Sequence, residues 1–537
     1  MKKHVILFKP SGRRVSCSAR TDILNCCREN QIEIDSVCGG QGKCRSCRVR
    51  IEKGIACAPT PSELKKLSRD ELERGWRLAC QTRPAGDLTV FLPPGKGLSS
   101  TPAFKEELLA GVVPDRRGRC RGKDCGVAVD LGTTKIAGYL VDLCDGAILS
   151  SCAMANPQAV YGDDVISRIT YAMNSPAGGG KLQRKAAAAV DELVEKLCMK
   201  AGCAPTAISR ISVCGNTAMH HLLLGLPVGQ LARAPYLPWT KDSVNIRAGK
   251  LGLKSMEKAD VYLLPNIGGY VGGDHVAVLA ATDAGNLKSA TLIVDIGTNT
   301  EISLVAAGGI ASVSCASGPA FEGGHIKHGM KASAGAVDKI VIKEGRIRYR
   351  TIGGHRPGGI CGSGMLDAVA QMAGAGIVDS GGRMQSDHHL VRVNAGRSEM
   401  LIAGSDRSAN GEDIVITQGD IRELQLAKAA IRTGINVLLE TAGMAAKDVR
   451  RVIIAGTFGN YIDIKSAVKV GMLPGLPLRR FSQVGNAAGA GACMVLVSGA
   501  ARRKTEAMAR RVKYLELADR PDFMDLFVRA LNIGSWS

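Results

Sequence analysis

Three cysteines within ten residues constrain the amino-terminal part of the chain more than any other feature. They lie in Cys38-Gly-Gly-Gln-Gly-Lys-Cys44-Arg-Ser-Cys47, and a fourth follows in Arg77-Leu-Ala-Cys80-Gln after a strand-and-turn excursion. Thiolates bind iron well, and a short loop around an inorganic cluster needs glycine where the backbone turns tightly. A structural zinc site and clustered core cysteines are the competing readings. Zinc sites usually pair two C-x2–4-C knuckles, and this stretch has only one. The spacing therefore favours an iron–sulfur cluster held by Cys38, Cys44, Cys47 and Cys80.

With 537 residues the chain exceeds what one hydrophobic core organises, so about two to four domains are expected. No apolar run approaches membrane-spanning length, and Met1-Lys2-Lys3-His4-Val5 lacks the apolar core of a signal peptide. Eighteen cysteines in a long chain of this kind predict reduced thiols and metal ligands, hence a cytoplasmic setting, and an oxygen-labile cluster points to an anaerobic one. The net charge is +21, part of it in Arg116-Arg117-Gly118-Arg119-Cys120-Arg121-Gly122-Lys123 and in Arg502-Arg503-Lys504. Aromatics make up only 4% and none interleaves with these runs, which argues against a base-stacking nucleic-acid surface. A solvated linker and a solvated helix face account for the runs, and steering toward an acidic protein partner is compatible with them.

Residues 1–93 predict a compact β-rich unit. An opening hairpin forms from Val5–Phe8 and Arg14–Cys17, Thr21-Asp22 caps a short helix through Cys27, and strands follow at Arg48–Ile51 and Leu88–Leu92. Cys17, Cys26, Cys27 and Cys57 fall outside the ligand spacing and are expected to pack. Arg45, Arg48 and Arg50 are expected to be solvated strand positions rather than partners of a negative cluster. The order of elements resembles a ferredoxin-like β-grasp. The C-x5-C-x2-C…C spacing is one residue longer in its first gap than the plant type, and is similar to the adrenodoxin-like branch of the [2Fe-2S] ferredoxins.

Residues 94–123 turn to Pro, Gly, Ser and Arg and predict a linker with one helical turn near Phe104–Leu109. Cys120 and Cys125 find no partners there for a second metal site. Beyond it, Val129-Asp130-Leu131-Gly132-Thr133-Thr134-Lys135 recurs as Val294-Asp295-Ile296-Gly297-Thr298-Asn299-Thr300. In each copy an apolar strand ends in an aspartate, turns on glycine and hydroxyl residues, and re-enters as a second strand. Glycine lets amides approach a phosphate, Thr or Asn adds donors, and aspartate suits Mg²⁺ or its water. One such turn is weak, but two copies predict related halves, 124–290 and 291–500, followed by a helical segment 501–537.

The motif order resembles the actin, sugar-kinase and Hsp70 superfamily, in which two α/β halves clamp ATP between paired hairpins. Ile454–Tyr461 resembles its adenosine motif, and Gly485–Ala492 its second connecting helix. A [2Fe-2S] domain fused ahead of that fold resembles the reductive activators of corrinoid proteins, and the resemblance covers essentially the whole chain. Further blocks at Asn156–Ile169, Pro265–Asp274 and Gly359–Gly364 support it. It implies a multi-domain α/β protein with a β-grasp [2Fe-2S] domain and a duplicated actin-like ATPase fold around a nucleotide cleft. It also implies ATP-dependent reduction of a corrinoid protein from Co(II) to Co(I), a low-potential electron donor, no nucleic-acid or membrane partner, and a homodimer. Asp130 and Asp295 would position metal or water. Gly132, Thr133, Thr134, Gly297, Thr298 and Asn299 would cradle phosphates. Gly456, Thr457 and Gly459 would line the nucleoside, and Gly362, Ser363 and Gly364 would open a helix toward an anion. A redox-sensing ATPase and a small-molecule kinase with an appended cluster are the alternatives.

Overall fold

In the computed structural model of the chain, the described residues are all except 1–2, 10, 31, 33, 35–39, 41, 43–44, 46, 94–102, 117–123, 163, 176, 457, 460, 535 and 537. They form two compact units: residues 1–97 with 157–171, and residues 98–156 with 172–537.

The first unit is built on five strands. β1 (Lys3–Lys9) and β2 (Arg13–Ser18) make the predicted hairpin; β3 (Arg48–Lys53), β4 (Trp76–Leu78) and β5 (Leu88–Phe91) complete the order β2-β1-β5-β3-β4. Side chains of β1 alternate, sending Ile6 and Phe8 into the core. The helix Ile23–Glu29 begins where Asp22 Oδ1 accepts the Asn25 amide at 2.8 Å. It buries Cys26 and Cys27 beside Cys17, in the packing role expected for them, whereas Cys57 is only partly buried.

The arginines behave differently from expectation. A capping box at Ser68 fixes Glu71, which pairs with Arg45 and, at 2.6 Å, with Arg48; Arg50 pairs with Glu52 at 3.0 Å. Arg48 also lies 4.4 Å from the centroid of Trp76. Their stems are therefore packed, and their charges are already answered within the unit.

The second unit repeats one sheet plan. β6 (Cys125–Leu131), β7 (Lys135–Asp142) and β8 (Ile148–Ala155) form an antiparallel meander. β9 (Ile208–Cys214) joins β6 in parallel, and β10 (Val244–Arg247) and β11 (Asp260–Leu263) extend the sheet to the order β10-β11-β9-β6-β7-β8. β12 (Thr291–Ile296), β13 (Thr300–Ala306) and β14 (Gly309–Cys315) repeat the meander. Two small sheets follow, from β15 (Ala336–Lys343), β16 (Arg346–Thr351) and β17 (Gly359–Ile360), and from β18 (Val391–Asn394), β19 (Arg397–Ala403) and β20 (Ile414–Thr417). β21 (Arg451–Ala455) then joins β12 in parallel and β22 (Phe481–Gly485) joins β21. Thus β8-β7-β6-β9-β11 corresponds to β14-β13-β12-β21-β22. The central strands β6 and β12 are covered on both faces, which is why they read as unbroken apolar runs.

The tail carries helices at Gly499–Ala509 and Phe523–Ala530, and also β23 (Lys513–Tyr514), an edge strand on β14. The helix Ala487–Val497 belongs to the second half by sequence yet packs on the first sheet, with Ser212 Oγ donating to the Ala492 carbonyl at 2.7 Å. Its small residues permit this: a Cβ on Gly491 would run into the Ala277 carbonyl. Of the linker, residues 103–116 lie on this unit. Lys105 N donates to the Val484 carbonyl at 3.2 Å, Asn486 N donates to the Ala103 carbonyl at 3.0 Å, and a 3-10 turn occupies Glu106–Leu109. Asp115 anchors the far end by accepting the Gly499 amide at 2.9 Å.

Candidate functional site

Two regions carry chemistry. In the first unit the antiparallel register pairs Arg48 with Leu78, so the residues flanking those strands, Cys47 and Ala79-Cys80, meet at one end of the sheet. The Ala79 amide donates to the Cys47 carbonyl at 2.9 Å. Both thiols are buried, and Gln81 Nε2 donates to Cys80 Sγ at 3.6 Å. Gly42 takes a left-handed φ of 68° under Gln81, where a Cβ would be crowded. Buried thiols, an N–H···S hydrogen bond and a glycine-turned loop suit thiolate ligation of an iron–sulfur cluster. Cys38 and Cys44 lie outside the described residues. Among the described residues no three His, Cys, Asp or Glu stand in metal-holding geometry.

A buried pair that sequence reasoning overlooked supports this end of the sheet. Glu63 is fully buried and binds Arg77 at 2.9 Å, accepts the Leu78 amide at 2.9 Å and accepts Thr82 Oγ1 at 3.2 Å. Burial alone would raise its pKa, but Arg77 and the amides of Thr60 and Leu78 hold the carboxyl below its ordinary range. The network fixes the two residues on either side of the turn that delivers Cys80.

In the second unit the two predicted hairpins, β6–β7 and β12–β13, come together. Thr134 Oγ1 and Thr298 Oγ1 lie 3.3 Å apart. Glu322, which sequence reasoning did not single out, spans them: Thr298 donates to its Oε1 at 2.7 Å and Thr134 to its Oε2 at 3.3 Å. Asn156 donates to the Gly132 carbonyl at 2.8 Å, and Asn216 to Thr133 Oγ1 at 2.8 Å, so the first turn is held from two sides. Ser317 Oγ donates to the Gly297 and Thr298 carbonyls at 3.4 and 3.3 Å in the second turn. A Cβ on Gly297 would sit 3.0 Å from the Asn299 carbonyl.

Four carboxylates gather behind these turns. Burial pushes Asp130 up to about 6, against the hydrogen bond from Asn486 Nδ2 to its Oδ2 at 2.9 Å. Asp274, at the start of the helix Gly273–Ala281, is raised to about 7 by burial and by Asp130. Asp295 rises to about 8 through burial and the charges of Asp274 and Asp130, and Glu301 is pushed well above its ordinary value by burial and the charges of Asp274 and Asp295. Crowding of this kind favours the protonated form, least for Asp130 and more for Asp295 and Glu301. Carboxylate oxygens are the donor type Mg²⁺ takes, but no three of these groups stand in metal-holding geometry among the described residues. Lys135 is depressed by burial and by Lys331, with Glu322 opposing the shift.

The adenosine-motif glycines lie against this cluster. Gly456 has φ 90°, and a Cβ there would come within 2.9 Å of Asp295 Oδ1. Gly459 is crowded by Ala455 and Ile454 of β21. Thr457 lies outside the described residues. Gly362 and Gly364 open the helix Gly362–Gly374 and abut the carbonyls of Phe321 and Val337 respectively, while buried Ser363 faces Cys361 Sγ at 3.2 Å. Phe321 also stacks on Phe458 at 4.7 Å, so Glu322 is placed by packing from both motifs. Asn486 and Glu322 sit in loops without periodicity; only the Asn after a strand-terminating glycine and the Gly-Pro turn before Phe321 hinted at either.

Residues 7–85 match the 2Fe-2S iron-sulfur cluster binding domain, residues 125–286 the RACo middle region, and residues 289–536 the C-terminal ASKHA domain of RACo. The chain is 31% identical to the corrinoid activation enzyme RamQ of Eubacterium limosum, across 98% of this chain and 99% of that protein. It belongs to the RACo family of reductive activators. A solved reductive activator for corrinoid, iron-sulfur protein has the same fold, with a TM-score of 0.70 and 31% identity over 99% of this chain and 98% of that one. The [Co(II) methylated amine-specific corrinoid protein] reductase of Methanosarcina barkeri is 24% identical over 67% of this activator and 68% of its own length. A [2Fe-2S] cluster and nucleotide binding thus belong to this activator's architecture. Among the described residues no helix is long and apolar enough to cross a membrane.

Proposed function

We propose that this activator is a cytoplasmic, ATP-hydrolysing reductase that takes electrons from a low-potential donor and passes them to a corrinoid protein, converting Co(II) to Co(I). The observation that carries the reading is the union, in one chain similar end to end to a corrinoid activation enzyme, of a thiol loop and two facing phosphate hairpins. Cys38, Cys44, Cys47 and Cys80 would hold the [2Fe-2S] group, which supplies a one-electron carrier near −400 mV in plant-type centres. Glu63 and Arg77 keep the Cys80 turn in place, and Gln81 donates toward its sulfur.

In the second unit, Gly132, Thr133 and Thr134 with Gly297, Thr298 and Asn299 surround the polyphosphate. Asp130 and Asp295 are the residues for Mg²⁺ or its water. Gly456, Thr457 and Gly459 would line the nucleoside, and Gly362, Ser363 and Gly364 would open their helix toward an anion. Hydrolysis here needs positioning and charge stabilisation rather than a covalent nucleophile. Re-reduction of Co(II) is uphill from a carrier of ordinary low potential, and nucleotide binding or hydrolysis supplies the difference by remodelling the complex.

The test is anaerobic. The activator, a reductant and a co-encoded corrinoid protein in the Co(II) state are mixed with and without ATP, and Co(I) absorbance is followed. Co(I) is expected only with ATP; equal traces in both arms would defeat the reading. Cys47→Ala is expected to lose the cluster spectrum and cobalt reduction while ATP hydrolysis persists.

A further inference from the structure

The carboxylate of Glu322 occupies both hydroxyls that the two hairpins would offer to a phosphate. We propose that Glu322 is an internal stand-in anion: it holds the two hairpins together through their hydroxyls, and a polyphosphate must displace it to bind. The inference rests on the reading of this cleft as a nucleotide site.

Three observations converge. Glu322 touches both turns, accepting from Thr298 at 2.7 Å and from Thr134 at 3.3 Å. Its charge opposes the mutual repulsion of Lys135 and Lys331, the duty a polyphosphate would take over. Its backbone has little freedom to retreat. It ends the 3-10 turn Pro319–Glu322 between Gly318 and Gly323, both with left-handed φ near 70–80° (72° and 77°), and Phe321 is fixed between Phe458 and Gly362. Only the side chain can swing away. Two anions cannot share two hydroxyls and a lysine in a half-buried site, so binding exchanges one for the other.

The exchange predicts a sign that a purely structural role would not produce. Glu322→Gln keeps the length and an acceptor for Thr298 but removes the competing charge. A non-hydrolysable ATP analogue titrated into the full-length activator should therefore bind Glu322→Gln about tenfold more tightly than the unaltered chain, and Glu322→Ala at least as tightly. If Glu322 only braced the hairpins, both variants would melt earlier and bind more weakly. If it were a Mg²⁺ ligand, their affinity would fall and lose its dependence on Mg²⁺. Either result, or unchanged affinity, overturns the proposal. Thermal melts establish that each variant is folded, and should only one fold, its affinity decides. Cobalt reduction plays no part in this readout. An activator that binds nucleotide but reduces no corrinoid protein would refute the proposed function and leave Glu322 in place; failure of the unaltered chain to bind nucleotide would refute the cleft itself.

Discussion

The two hairpins share a sequence pattern and a sheet position, yet their aspartates differ. Asp130 ends β6 beside Asn486, which donates to its Oδ2 and keeps its pKa to about 6. Asp295 ends β12 with no such amide, lies under Gly456, and rises to about 8 beneath the charges of Asp274 and Asp130. At neutral pH and without a cation, the first carboxyl is mostly ionised and the second mostly protonated. The two turns repeat one pattern, and their neighbours set the two carboxyls apart. Environments that push paired carboxyls apart commonly divide roles between them.

The sharpest way to break this comparison is to remove each carboxyl in turn. Asp130→Asn is expected to lower the rate of ATP hydrolysis by about 100-fold or more, as loss of a preorganised charge does. Asp295→Asn should cost about tenfold, with the alkaline limb of the pH–rate profile altered. Equal losses and identical profiles would show that the asymmetry has no functional weight. Asn486→Ala makes the first half resemble the second. Loss of a hydrogen bond to a charged group should cost about tenfold and move the pKa assigned to Asp130 upward, read as a shift of the acid limb.

Stability offers a milder test. Asp274 and Asp295 retain protons that the unfolded chain releases near pH 4. Between about pH 4 and 8 the unfolded state therefore binds fewer protons, and the nucleotide-free activator should lose stability as pH rises through that window. Melts from pH 5 to 8 should show a falling Tm, flattened in Asp295→Asn. The smallest effect concerns Phe104 of the linker, which touches the first hairpin. Phe104 packs on Tyr139 at 5.1 Å, and Asn486 donates to the Tyr139 hydroxyl at 3.1 Å. Phe104→Ala should weaken nucleotide binding about threefold, measured by titration, in line with one aromatic pair.

Legibility in the sequence followed the range of the interactions. Cys47 and Cys80, the opening hairpin and the capped helix at Ile23 depend on spacing and neighbours within a few residues, and these were readable. So were Asp130 and Asp295, because each ends an apolar strand before a glycine turn. Arg45 and Arg48 were misjudged because their partner Glu71 is fixed by a capping box more than twenty residues away. Glu63 went unremarked because its pairing with Arg77 is made only when its helix folds onto β4. Glu322 and Asn486 carry no periodic signal at all; they matter because the chain after β14 brings Glu322 to both turns and the chain after β22 brings Asn486 to Asp130 of the first hairpin.

What the sequence by itself determined is therefore the inventory: a thiol loop with its glycines, a duplicated strand–turn–strand unit, small-residue helices, and the order that joins them. Those features are encoded by local backbone demands, where glycine, capping side chains and apolar runs act over short distances. Only the tertiary structure decided that the two turns face one another through Thr134, Thr298 and Glu322, that a linker segment lies along the nucleotide half, and that the paired aspartates are unequal. These outcomes depend on burial and on groups brought together from residues about twenty to more than three hundred positions apart, and no local pattern records them.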